Sequence, residues 1–298
     1  MGQIRSQPSL FEDVVPNRSG SAPPAQLLKW IGNKQRMAEE IVSYFPKTFG
    51  TYHEPFLGSG AVLATLSPAT GQASDAFRPL MEIWLTLKNA PEQLIEWYAS
   101  RRRRMMRGEK REVYERILAE YNARPNGADL VFLCRSCYGG VVRFRSQDLY
   151  MSTPVGAHTP IPVDAFAERV REWHRRVQGT EFECVGYRKA MDRARAGDVV
   201  YCDPPYSHSQ SILYGGQDFS LDDLLDAIAS CKRRGVFVAL SIDGTKKSGR
   251  QVCDLPIPKG LFAREIFVHV GRSMLRRFQM NGKSLKSEVV SDRLLLTH

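Results

Sequence analysis

The chain contains no run of about eighteen apolar residues, the least that spans a bilayer as a helix. Its first residues also lack the basic-then-apolar order of a secretory signal. Both absences predict a cytoplasmic protein. Cysteine is sparse, with six residues in 298, at positions 134, 137, 184, 202, 231 and 253. Cys134 and Cys137 have C-x-x-C spacing, but a four-ligand zinc site wants a second close pair, and there is none. A redox pair would sit near a helix start in a βαβ pattern, which is not the setting here. Free thiols and no metal site are the expectation. Internal repeats are missing too. Acids are in deficit, 32 against 42 basic residues, for a net charge of +10. That deficit favours a polyanion, nucleic acid first. The positive residues cluster at Arg101, Arg102, Arg103 and Arg104 with Arg107, Lys110 and Arg111; at Arg135, Arg143 and Arg145; and at Arg272, Arg276 and Arg277. A run on a helix is as readily a solvated face as a binding surface, and the first cluster has that character.

What is present is enough for a sizeable core, since 43% of the residues are hydrophobic. Residues 1–25 carry Pro16, Gly20, Pro23 and Pro24 among polar residues and read as a flexible leader. From Tyr52 the pattern is α/β. A short strand ends in Glu54-Pro55-Phe56, a Gly58-Ser59-Gly60 turn follows, and a helix starts at Ala61. A second short strand ends at Asp75. Residues 80–124 read helical, residues 141–151 as a hairpin or irregular loop, and 164–177 as an amphipathic helix. Strands resume at Phe182. DVVYC (198–202) and GVFVALSID (235–243) are buried strands with a helix over 221–233 between them, and 265–270 and 293–297 are the last two. The predicted organisation is a catalytic α/β domain from residues 26–85 and 180–298, split by an insertion over 86–179 that is too long for a structureless loop.

Asp203-Pro204-Pro205-Tyr206 directly follows a buried strand, which in an open α/β sheet places it at the ligand-binding carboxyl edge. Its prolines rigidify the turn and remove two backbone donors. A carboxylate, prolyl carbonyls and an aromatic ring remain, suited to accept from an amine and stack on a planar base. Gly58 and Gly60 let backbone approach a ligand closely. Leu63 occupies the last position of a G-x-G-x-x-G fingerprint, which favours a nucleoside over a pyrophosphate. Asp75, near the next strand end, suits ribose hydroxyls, though a turn-capping aspartate would look the same. In LKWIGNK (28–34), Trp30 offers a ring and Lys34 a charge for a carboxylate.

In that order, LKWIGNK, EPFLGSG (54–60), a long insertion and DPPY, the chain resembles the Dam-type (D12 class, α-group) DNA adenine-N6 methyltransferases over residues 26–297. The resemblance implies a Rossmann-like, S-adenosylmethionine-dependent methyltransferase sheet carrying an inserted helical DNA-recognition domain. It implies that Trp30 and Lys34 hold the methionine part of S-adenosylmethionine, that Glu54, Phe56, Gly58 and Gly60 line its pocket, and that Asp75 binds the ribose. Asp203, which also belongs to the implied cofactor pocket, and the Pro204 carbonyl would accept from the adenine N6 amine, with Pro205 stiffening the turn and Tyr206 stacking on the flipped base. Before DPPY the family usually carries an Asp-Phe pair against the cofactor's adenine. Gly186-Tyr187 stands there, so the aromatic wall survives at Tyr187 and the acid is lost. At the next strand end, where the family often has Asn, the chain has Ser241-Ile242-Asp243. CRSCYGGVVRFR (134–145) resembles the family's DNA-reading hairpin, which makes Arg135, Tyr138, Arg143 and Arg145 candidate DNA contacts. Tyr138 matches a wedging aromatic and Arg143 an arginine that reads a guanine edge. Gly139 and Arg145 depart from the family's usual residues, so its GATC site is not inherited by resemblance alone.

The implied reaction flips adenine out of duplex DNA and transfers the methyl in line, without a covalent intermediate, metal or Pro-Cys nucleophile. An RNA base-amine methyltransferase would share the pocket and the DPPY, and a non-catalytic DNA-binding relative would keep the basic surface. A cognate restriction endonuclease stays open as a further partner.

Overall fold

The computed structural model describes residues 21–23, 25–145, 148–205, 219–246, 251–252, 257–272 and 289–298. Its strands are β1 (Tyr52–Glu54), β2 (Gly71–Ser74), β3 (Thr180–Glu183), β4 (Val199–Cys202), β5 (Phe237–Lys246), β6 (Gln251–Val252), β7 (Arg264–Arg272) and β8 (Val289–Leu296). They form one sheet in the order β3-β2-β1-β4-β5-β8-β7, with β6 paired to β5 off that path. The first five are parallel, and β8 runs antiparallel between β5 and β7. The order reverses between β1 and β4, which creates a crevice at their carboxyl ends.

Both faces of the sheet are covered, so β4 (VVYC) is apolar on both sides without alternation, whereas β1 (Tyr52-His53-Glu54) is equally buried but carries polar side chains. Along β4, Val199 and Tyr201 join one hydrophobic cluster, Val200 and Cys202 the other. Helices α1 (Ala38–Ser43), α2 (Ala61–Leu66) and α3 (Arg78–Asn89) cover the first face; α8 (Tyr187–Asp192) and α9 (Leu221–Arg233) cover the second.

The insertion folds as α4 (Pro91–Arg107), α5 (Lys110–Ala123), α6 (Gly127–Ser136), a 3-10 turn at Tyr138–Gly140, a loop, and α7 (Val163–Arg176). The helical stretch expected over 80–124 is thus three helices. Pro91 opens α4 and forces Ala90 out of the helical region, at φ −149°. Gly108 ends it at a spot where a Cβ would lie 2.8 Å from Val113. Asn126 caps α6, its side chain accepting from the Asp129 amide at 2.8 Å. Almost every residue of α6 is buried against α3, α4 and α5. On α7, Phe166, Ala167, Val170 and Trp173 make one apolar face. The insertion shares its core with the sheet: Trp84 of α3 lies 5.8 Å, centroid to centroid, from Trp173 of α7 and 5.8 Å from Phe182 of β3. Beyond the 3-10 turn, Phe144 bridges Met151 and Cys137 bridges Val155 antiparallel, a hairpin-like loop in place of a regular ladder. Among the described residues no helix is long and apolar enough to cross a membrane.

Candidate active site

Three acids arrive at the crevice because three neighbouring parallel strands end there: Glu54 closes β1, Asp75 follows β2 and Asp203 follows β4. The turn after β1 places Gly58 and Gly60 at φ +47° and +61°, conformations that favour glycine. At Gly58 an added Cβ would sit 3.4 Å from the Trp30 indole, and at Gly60 one would sit 2.6 Å from Trp84. Trp84 Nε1 also donates to the Gly58 carbonyl at 3.2 Å, which fixes the loop to α3. The resulting cleft encloses about 510 Å3, solvent at its mouth included, and is walled by Trp30, Phe56, Gly58, Asp75, Asp203 and Pro205 among others.

Lys34 joins the N-terminal motif to the β4 motif. Its buried ammonium donates to Asp203 Oδ1 at 2.7 Å and to the Gly32 carbonyl at 3.3 Å, and it lies 3.5 Å from Asp292 Oδ2. Burial alone would disfavour the ammonium; the carboxylates of Asp203 and Asp292 outweigh it and hold the pKa above the usual lysine value. Glu54 takes the opposite course. Burial pushes its carboxyl up to about 8, against the hydrogen bond it accepts from the Tyr52 hydroxyl at 2.7 Å, and the nearby Asp203 raises it further. Asp75 is raised by burial as well, while its oxygens accept from the Phe77 amide at 3.0 Å and the Gly58 amide at 3.2 Å. It therefore holds the glycine turn as well as facing the cleft.

Other expected residues sit one layer back. Gly60 does not line the cleft; its bareness admits the Trp84 ring. Tyr187, first in α8, stacks on Phe56 at 5.1 Å and 24°, behind the cleft wall, and Phe219 meets both rings edge-on at 6.1 Å. Pro204 is buried behind Pro205. Tyr206 lies outside the described residues.

The insertion's candidates divide. Tyr138 is 43% exposed at the 3-10 turn, whose Gly139 has φ +66°. Arg143 is exposed on the loop with no side-chain partner among the described residues. Arg145 forms a two-bond ion pair with Asp148, at 2.7 and 3.1 Å, and its guanidinium lies 4.1 Å from the Tyr150 ring centre. Arg135 differs from expectation: it is buried and donates to the carbonyls of Leu27 at 2.7 Å and Gln26 at 3.1 Å, so it tethers the N-terminal segment instead of facing a ligand. The first basic cluster is also largely occupied, with Arg101 on Asp129, Arg103 on Glu96, Arg104 on Glu120 and Arg111 on Glu115. Arg276 and Arg277 lie outside the described residues, as does Cys253.

The profile of the D12 class N6 adenine-specific DNA methyltransferases matches residues 30–265, from Trp30 through the glycine turn and insertion into β7. The chain belongs to that family. It is accordingly an adenine-specific DNA methyltransferase. It is 28% identical over 233 residues to the Type II methyltransferase M1.LlaDCHI of Lactococcus lactis subsp. cremoris, covering 72% of this chain and 79% of that one. To the DNA adenine methylase of Vibrio cholerae serotype O1 it is 28% identical over 236 residues, 75% and 83% of the two chains. Among solved structures, the rRNA methyltransferase AviRa of Streptomyces viridochromogenes superposes only loosely, at TM-score 0.40 and 13% identity over 97% of this chain and 91% of that one.

Four residues near the site were not singled out from sequence. Tyr52 carried a faint signal, since it lies two before Glu54 on the same strand face. Asp292 is an acid in an apolar final strand. Phe219 and Lys29 had none. Lys29, exposed, packs its stem on Gly140, where a Cβ would meet it at 2.7 Å.

Proposed function

We propose that the cleft binds S-adenosylmethionine and that an adenine flipped out of duplex DNA presents its N6 amine to Asp203. The observation carrying this reading is the Asp203 carboxylate at the end of β4, two prolines after it, facing the glycine-turn cleft. The cleft fits the donor. Trp30 and Phe56 offer ring faces to a nucleoside, Asp75 suits ribose hydroxyls, and the Asp203 carboxylate suits a positive sulfonium. Gly58 keeps the Trp30 wall accessible, since a side chain there would lie in contact with the indole and cover it. Bound there, the donor supplies an electrophilic methyl group.

The remainder is work for the chain's own groups. The adenine N6 lone pair is delocalised into the ring and is a weak nucleophile. Asp203 Oδ accepts one of the amine's hydrogens and the Pro204 carbonyl the other, which returns density to nitrogen and favours tetrahedral geometry. Proline prevents backbone amides from competing for those acceptors. Asp203 need not be a strong base, because the N6 proton becomes acidic once the methyl is in place. Stacking by Tyr206 and phosphate contacts offset the few kcal/mol of unstacking.

The insertion, residues 86–179, is proposed to read the target, with Tyr138 wedging beside the emptied base position and Arg143 contacting a base edge or phosphate. Lys29, beside the same turn, extends that surface. Calorimetric titration of the free enzyme with S-adenosylmethionine tests the pocket: wild type is expected to bind and Trp30→Ala to lose most of the affinity. Equal binding by both would remove Trp30 from the site. Competition between duplex DNA and structured RNA tests the polymer, and preference for RNA would overturn the duplex reading.

A further inference from the structure

We propose that Asp292 is a positioning residue for methylation: a second carboxylate that takes up the Lys34 ammonium when Asp203 turns to the target amine. The inference rests on the reading of Asp203 given above. Lys34 is 4% exposed, so its charge needs a partner at every stage, because a buried ammonium left alone is strongly disfavoured. Asp203 is one such partner, at 2.7 Å. A carboxylate oxygen engaged by an ammonium is a poorer acceptor for the weakly polar hydrogens of an aromatic amine. If Asp203 were the sole counter-charge, the amine would have to compete with Lys34 for it.

Asp292 removes that conflict. Its Oδ2 stands 3.5 Å from the same Nζ, against 2.7 Å for Asp203 Oδ1, so a displacement of the flexible lysine end by under an ångström exchanges one partner for the other. Both carboxylates are nearly buried, with side chains 17% and 14% exposed, so neither charge is strongly screened by water. The topology explains how a residue six places from the C-terminus comes here. Because β8 runs antiparallel to β5, with Asp292 opposite Asp243, the early part of β8 lies at the carboxyl edge, where the parallel strands deliver their site residues. A parallel strand at that place would bring its last residues instead. No bond is made or broken and no proton moves; the ammonium stays charged and changes neighbours.

The test is single-turnover methylation of duplex DNA by wild type, Asp292→Asn and Asp292→Glu, with KM for DNA and the melting temperature measured for each. Asparagine keeps the size and loses the charge. The expected result is a roughly tenfold to hundredfold lower transfer rate in Asp292→Asn, the scale at which small misplacement of a reacting group slows catalysis. KM and melting temperature should stay near wild type, and Asp292→Glu should recover most of the rate. An unchanged rate in Asp292→Asn overturns the proposal. So does a loss that appears as a raised KM, or as a fall in melting temperature that glutamate fails to restore, because either would mark a merely structural role for the strand. Failure of wild type to methylate adenine at all would strike the reading of Asp203 instead, and the two failures are told apart by the wild-type lane.

Discussion

Asp203, Glu54 and Gly60 differ in what a single substitution there removes. Asp203→Ala takes away the proposed acceptor at the reacting nitrogen, together with one acid of the cleft wall and a counter-charge of Lys34. The rate of methyl transfer should fall about 10²–10⁴-fold even at saturating cofactor, measured by single-turnover transfer. Glu54 is held protonated over a wide range, since burial lifts its carboxyl to about 8. The folded state therefore binds a proton that the unfolded chain releases near the ordinary carboxyl value, and this contribution to stability is complete below about 4.5 and lost as pH rises towards 8. Glu54→Gln should abolish that component. The melting temperature of the variant minus that of wild type should grow between pH 5 and 8, and a constant difference would show Glu54 to be ionised throughout. Gly60→Ala introduces a Cβ at φ +61°, 2.6 Å from a buried Trp84, and should destabilise by about 1–3 kcal/mol in denaturant unfolding. At this scale the sequence announced residues that stand in short contiguous motifs, where spacing alone fixes the geometry. Asp203 belongs to that class, while Asp75 was legible as the acid at the end of the next strand. Lys34 was visible as a charge but not as the partner of Asp203, 169 residues away, and Asp292 was invisible as a site residue because only the reversed direction of β8 brings it in.

Elements decide which arginines are available. Arg135, on the inner side of α6, spends its guanidinium on two carbonyls of the N-terminal segment, whereas Arg143 stands on the exposed loop that follows. Arg135→Met should therefore lower stability by roughly 1–3 kcal/mol, by leaving the buried Leu27 carbonyl without its donor while Gln26 keeps Arg169, and leave DNA affinity near wild type. Arg143→Ala should do the reverse, weakening DNA binding with an unchanged melting temperature. Fluorescence anisotropy with duplex DNA and thermal unfolding separate the two. The parallel strands were legible as short apolar runs ending in acids or turns, and β7 and β8 were legible as the last two. The insertion's hairpin motif was legible only as a string of residues; which side of α6 faces inward depends on α3, α4 and α5 packing around it, and no local pattern in a helix buried on nearly all sides reveals that.

Across the whole molecule, a charge of +10 coexists with a basic run in which Arg101, Arg103, Arg104 and Arg111 are already paired to acids. Arg103→Ala with Arg104→Ala should leave the salt dependence of DNA binding almost unchanged, because charges already neutralised release few further counterions. The fold class was readable from the order of motifs, and the family match across residues 30–265 agrees with it. What order could not convey is that sheet and insertion share one hydrophobic cluster running through Trp84 and Trp173, so that the proposed reading surface is carried on the same core as the cleft. The most direct test of the account is labelled methyl transfer from S-adenosylmethionine to duplex DNA free of adenine methylation, with modified bases mapped in the product. The expected product is N6-methyladenine at one short sequence, lost with Asp203→Ala. Transfer to another base, or transfer undiminished in Asp203→Ala, would contradict it.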